Sequence, residues 1–229
     1  MSQVARLKSL HPYTEFSPSW DIPIYHNYLQ DYDAIDTVRN WLVENEQRFL
    51  DLPVHNDGGT GLGNDSVTSR FSTYHLFDYI DELPELKIFL DFFRFSYIDF
   101  MDKEHSVPRE LDFMCWFNIL RPGQKIDVHG HGSGPDVYLS GNMHLDDYST
   151  ETFYLAPIDN ENAHISNNIK GGLTLFPSYL QHGTTDFGEE GLRLSIAFDL
   201  RLPYNNNNNM QNIKPFITGE QLDGDLYSS

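Results

Sequence analysis

Leu192-Arg193-Leu194-Ser195-Ile196-Ala197-Phe198-Asp199-Leu200 alternates without a break. In an extended chain successive side chains point to opposite faces. Leu192, Leu194, Ile196, Phe198 and Leu200 therefore share one face, and Arg193, Ser195, Ala197 and Asp199 share the other. Val137 to Leu145 reads the same way, with Val137, Leu139, Gly141, Met143 and Leu145 set against Tyr138, Ser140, Asn142 and His144. Shorter strands are expected at Phe113 to Leu120, closed by the turn Arg121-Pro122-Gly123, at Thr152 to Leu155 and at Gly172 to Phe176.

Upstream the period changes. Ile35, Val38, Trp41, Leu42 and Phe49 recur at helical spacing within Asp33 to Leu50. Leu86, Phe89, Leu90, Phe93, Tyr97 and Phe100 do so within Pro84 to Met101, and Pro84 suits a first helical turn. Each helix has one apolar face that needs a broad partner. The economical arrangement lays both helices on the outer face of a β-sheet. The polar strand faces then turn inward, into a barrel or sandwich cavity. Polar groups buried there are costly unless they bind something, so a site is expected before any motif is considered.

Composition narrows the classes. The 229 residues are 39% hydrophobic and 14% aromatic, enough for a packed core. The 15 basic and 34 acidic residues give a net charge of −19, which repels phosphates, so nucleic acid is not an expected partner. Cys115 is the one cysteine and excludes an intramolecular disulfide. Met1 to Pro18 lacks the pattern of a secretory leader, and Leu86 to Met101 is too charged to cross a bilayer. A cytoplasmic protein without a membrane segment is expected. Asp57 to Asp65, rich in Gly and Asn, reads as a loop near a site, and Asn205 to Asn209 as a flexible segment. The expected organisation is a single domain over 1–229: helical support and N-terminal strands in 1–110, a β core in 111–202, and an Asn-rich loop and tail in 203–229.

The chemistry-bearing residues lie in that core. In Asp127-Val128-His129-Gly130-His131 an extended backbone puts Asp127, His129 and His131 on one face. Two imidazoles at i and i+2 can reach one metal ion, and imidazole suits Fe, Zn, Cu and Ni alike. His182 lies far downstream, after the strand at 172–176, and can join them only if a double-sheet fold brings the segments together. Arg193 and Ser195 sit on the inward face. A buried arginine without a protein carboxylate invites a carboxylate ligand, which it grips with two parallel bonds. His11, His26, His55, His75, His105 and His164 have no partner at ligand spacing, and no serine sits in a nucleophile elbow.

Trp116 to Gly123, His129-Gly130-His131, Leu139-Ser140-Gly141, Gly172 to Ser178, His182 and Arg193 to Phe198 together resemble a family of 2-oxoglutarate- and Fe(II)-dependent oxygenases, bacterial and phage proteins loosely related to prolyl hydroxylases. The resemblance covers roughly Phe113 to Leu200. It implies a mainly β fold with flanking helices, the double-stranded β-helix or jelly roll, cupin-like. It implies Fe(II), 2-oxoglutarate as co-substrate and O2, with His129 and His182 as first and distal metal ligands. Arg193 takes the place of the residue that binds the outer carboxylate of 2-oxoglutarate, and Ser195 assists it. Tyr138 and Asn142 are further candidate contacts.

The sequence departs from the family at one point. Where the family has a carboxylate, this chain has His131. Three completions of the metal set stay open: His131 as the third ligand, a carboxylate from Asp127 or Asp136, or two histidines and water. The first is taken as the expectation. The expected reaction hydroxylates a peptidyl or small-molecule substrate with release of succinate and CO2. Two other readings compete: a cupin-like Zn or Ni protein without oxygenase activity, and a structural jelly roll with a degenerate site. Arg193 with Ser195 argues against the first, which has no reason for an inward carboxylate clamp, and the complete set of His129, His182 and Arg193 against the second.

Overall fold

The computed structural model describes residues 2–11, 14–132, 137–203 and 212–223. Its strands are β1 (Gln3–Lys8), β2 (Asp21–Tyr28), β3 (Leu111–Leu120), β4 (Val137–His144), β5 (Glu151–Ala156), β6 (Asp159–Asn167), β7 (Gly172–Pro177), β8 (His182–Thr184), β9 (Arg193–Arg201) and β10 (Lys214–Ile217). The helices are α1 (Tyr32–Glu44), α2 (Glu46–Leu50), α3 (Leu86–Lys103) and the short α4 (Gly219–Asp223). Seven strands form one sheet in the order β1-β2-β7-β4-β9-β3-β10, and three form a second in the order β6-β5-β8. All paired strands are antiparallel. Two packed antiparallel sheets with crossed strand order make the jelly roll expected from the sequence.

The helices lie where the apolar strand faces need them. Leu194, Ile196, Phe198 and Leu200 of β9 are buried in one cluster with Ile35, Val38 and Leu42 of α1 and Phe89, Phe93 and Phe100 of α3. Phe198 stacks on Phe93 with ring centroids 4.5 Å apart. Asp31 caps α1 by accepting the Ala34 N–H at 3.0 Å. The periodicity predicts one helix over Asp33 to Leu50, but the chain breaks at Asn45. There the side-chain amide and the backbone N–H of Asn45 both donate to the Trp41 carbonyl, ending α1 before α2 begins. No helix among the described residues is long and apolar enough to cross a membrane.

The alternation of β4 is interrupted at Tyr138. The ladder to β9 pairs Val137 with Arg201 and then Leu139 with Leu200, so one residue is extra. Such a bulge turns the side chain out of the regular sequence of faces. Tyr138 therefore packs towards α3, its ring 6.3 Å from that of Tyr97 and its hydroxyl on Met101 Sδ at 3.3 Å. Beyond the bulge, Ser140, Asn142 and His144 resume the inward face.

Candidate metal centre and carboxylate pocket

A cavity of about 330 Å³ lies inside the jelly roll, bounded by the inner face of β9, by β3 and β4, by β8 and by the segment 126–132. His129, His131 and His182 line it, and a ring nitrogen of each lies within 4.8 Å of the others. Main-chain bonds place them. His129 N–H donates to the His182 carbonyl at 3.0 Å, and His182 N–H donates back at 2.9 Å. His131 N–H donates to the Ser178 carbonyl at 3.0 Å. This continues the β8 edge and answers how a distant His182 reaches the pair.

The hydrogen bonds also fix the tautomers. His129 Nδ1 faces the Asp127 carbonyl at 2.9 Å and His182 Nδ1 faces the Leu180 carbonyl at 3.1 Å. His131 Nδ1 faces the Asp199 carboxylate at 2.5 Å. Each acceptor requires a proton on Nδ1, so the Nε2 atoms of the neutral His129 and His182 rings present lone pairs. The Nε2 atoms of His129 and His131 are 3.2 Å apart. Lone pairs converging in a buried site repel one another unless a cation lies between them. Burial, reinforced by His131, lowers the His129 pKa to about 4, and burial with both neighbours holds His182 well below the usual range. The His129 and His182 rings are thus neutral, the form that binds metals. Fe(II) fits this donor set, as do Ni and Zn.

Asp199 is the functional residue that the sequence pattern did not single out. Burial alone would raise its pKa, but His131, by charge and hydrogen bond, and Ser140, donating at 2.7 Å, outweigh burial and hold it below the ordinary range. A carboxylate behind a ligating imidazole orients the ring and strengthens it as a donor. The one signal in the sequence was its place on the Arg193 face of β9.

Arg193 and Ser195 line the same cavity. Arg193 is 2% exposed, and its Nε and Nη1 have no hydrogen-bond partner. Burial lowers its pKa to about 10, partly offset by the field of Asp146, so it stays charged at neutral pH. Arg70 provides the contrast. It is also buried without a carboxylate, but its guanidinium donates to the carbonyls of Leu50, Leu52, Asn64 and Ser66 and is satisfied. Around Arg193 two more polar atoms lack partners, His144 Nδ1 and Asn142 Oδ1. Ser195 Oγ takes the Asn118 amide at 3.3 Å, and Asn118 accepts from Thr68 at 2.7 Å. A buried cation with unpaired Nε and Nη1, in a cavity shared with the Ser195 hydroxyl, is the environment a carboxylate would complete.

The remaining candidates fall elsewhere. Tyr138 lies outside the cavity lining, removed by the bulge, so its expected contact with 2-oxoglutarate has no geometric basis. Asp127 turns its carboxylate towards Lys125 and the glycine-rich loop, where Oδ2 would meet a Cβ on Gly61 at 2.2 Å, and it is not in the histidine group. Asp136 lies outside the described residues. The loop at 57–65 does border the site: Asp57, Gly58 and Thr60 line the cavity, and Asp57 caps the Gly59 and Gly63 N–H groups at 3.1 Å each.

A family model described as "Putative 2OG-Fe(II) oxygenase" matches residues 114–199. No curated protein sequence matches the chain. Among solved structures, HygX from Streptomyces hygroscopicus, with nickel and 2-oxoglutarate bound, aligns at TM-score 0.53 with 14% identity, covering 79% of this chain and 83% of HygX. The non-haem, α-ketoglutarate-dependent carbocyclase SnoK from nogalamycin biosynthesis aligns at TM-score 0.51 with 10% identity, covering 86% and 90%. A Pseudomonas putida prolyl-4-hydroxylase aligns at TM-score 0.47 with 13% identity, covering 79% and 93%. These likenesses concern the fold; the sequence match lies in the stretch that holds the histidines and Arg193. Over residues 114–199 the chain thus matches the model of the 2OG-Fe(II) oxygenase family.

Proposed function

We propose that this chain hydroxylates a peptidyl or small-molecule substrate, with His129, His131 and His182 holding Fe(II) and Arg193 gripping the outer carboxylate of 2-oxoglutarate. The observation that carries the reading is the buried Arg193, its Nε and Nη1 without partners, in the same cavity as three converging histidines. When bound, iron with 2-oxoglutarate and dioxygen supplies the oxidation, coupling hydroxylation to release of succinate and CO2. The chain's own residues bind and orient. Asp199 keeps the His131 ring turned to the cavity, Ser195 and His144 supply polar groups beside Arg193, and Asn142 offers an acceptor. Trp116, Phe176 and Ile126 wall the cavity with apolar surface and limit access of bulk water.

Anaerobic titration with Fe(II) and 2-oxoglutarate tests the proposal through the weak visible metal-to-ligand charge-transfer band. A band should appear, with succinate formed on admitting oxygen; absence of both sinks the reading. His131→Ala should weaken iron binding about 100-fold or more if His131 is a ligand. Iron affinity equal to the parent would exclude His131 and return the third position to water. A set of three imidazoles without a carboxylate favours a second reading, a Zn or Ni site without oxygenase activity. It predicts metal binding with no effect of 2-oxoglutarate.

A further inference from the structure

Arg193 is the first residue of β9, where a strand end has few ladder bonds to hold it. Both residues that flank it are instead tied to one ion pair. Asp146 Oδ2 accepts the Leu194 N–H at 2.8 Å. Arg39, from α1, donates through Nη2 to the Leu192 carbonyl at 3.2 Å. Arg39 Nε and Asp146 Oδ1 then bond to each other, with the two side chains only 23% and 11% exposed. The pair so clamps the backbone on either side of Arg193. Among the described residues, Asp146 is also the carboxylate whose charge acts on the Arg193 guanidinium. Freed from Arg39, it is a ready internal counter-ion, and an arginine neutralised from within no longer needs an outside carboxylate.

We propose that Arg39 and Asp146 are positioning residues for co-substrate binding: their ion pair aims Arg193 inward and withholds Asp146 from it. This rests on the reading of Arg193 as the 2-oxoglutarate clamp. The helical layer then does more than cover the sheet, because a residue of α1 keeps the cavity's cation vacant for the ligand.

The test is a double-variant cycle read by anaerobic 2-oxoglutarate titration on the Fe(II)-loaded protein, with Ni(II) affinity and thermal midpoint measured alongside. Arg39→Ala should weaken 2-oxoglutarate about tenfold or more while Ni(II) affinity stays within about twofold. Adding Asp146→Asn, which keeps an acceptor for the Leu194 N–H but removes the charge, should recover most of the loss. A double variant as weak as Arg39→Ala, or weaker, means the pair is only a structural brace and overturns the proposal. Arg39→Gln replaces Arg39→Ala in the cycle if the latter does not fold. Failure of the underlying reading looks different: the parent protein itself would not bind 2-oxoglutarate, or Arg193→Ala would bind it unchanged.

Discussion

In the proposed site Arg193 and Asp199 differ in how visible they are in the sequence. Arg193 stood out because strict alternation put a guanidinium among residues facing inward. Arg193→Ala should weaken 2-oxoglutarate by roughly 10- to 100-fold, since charge-assisted hydrogen bonds are worth about 1.5–3 kcal/mol. Ni(II) binding should be spared, as isothermal titration of both ligands would show. Asp199 sat on the same alternating face but gave no sign of its role, because its partner His131 is remote in sequence and joined to it only by the fold. Asp199→Asn keeps the side-chain shape and removes the charge behind His131. It should lower metal affinity about tenfold in a chelator competition; unchanged affinity would make Asp199 a packing residue. Tyr138 shows the opposite failure. Alternation assigned it to the cavity, and a single extra residue in the ladder turned it away.

Among elements, long periodic segments were legible and polar or short ones were not. The helix 86–103 and strands β3, β4, β7 and β9 follow their apolar patterns closely. β6 has no counterpart among the strands expected from the sequence, because Asp159-Asn160-Glu161-Asn162 is polar throughout without alternation; it is a strand through its pairing with β5. β2 was not placed residue by residue, although Ile22 and Ile24 alternate, because Pro23 lies between them. The contact of β4 with β9 is close at Gly141, where a Cβ would lie 2.3 Å from Phe198 Cζ. Phe198 cannot retreat easily, being stacked on Phe93 of α3. Gly141→Ala should therefore cost roughly 1–3 kcal/mol, the usual scale of overpacking. Chemical denaturation would measure it; an unchanged midpoint would show that the sheet and α3 yield without strain.

For the whole molecule, the buried histidines set the response to acid. Burial, with His164 adding to it, lowers His26 to about 4, and burial likewise lowers His75 to about 4. In the unfolded chain both take up protons near pH 6.5. The unfolded state therefore gains protons first as pH falls. The stability these groups allow is fully present above about pH 6.5 and is lost progressively between 6.5 and 4. Acid also relieves the repulsion of the −19 charge, so the useful comparison is between variants. The thermal midpoint of metal-free His75→Gln should fall less steeply over that window than that of the parent; parallel slopes would assign the acid sensitivity to other groups. The mutual His129–His182 backbone bridge bears on the molecule's choice of metal. If His129 and His182 are ligands as proposed, it holds their backbones together before any ion arrives, so little reorganisation remains with which to discriminate. A rigid three-imidazole face ranks divalent ions by intrinsic donor preference, and Fe(II) stands low in that series, behind nickel, copper and zinc. On the proposed reading, protein isolated in air should thus carry a stronger-binding competitor and turn over only after stripping and anaerobic reloading, as metal analysis before and after reloading would show.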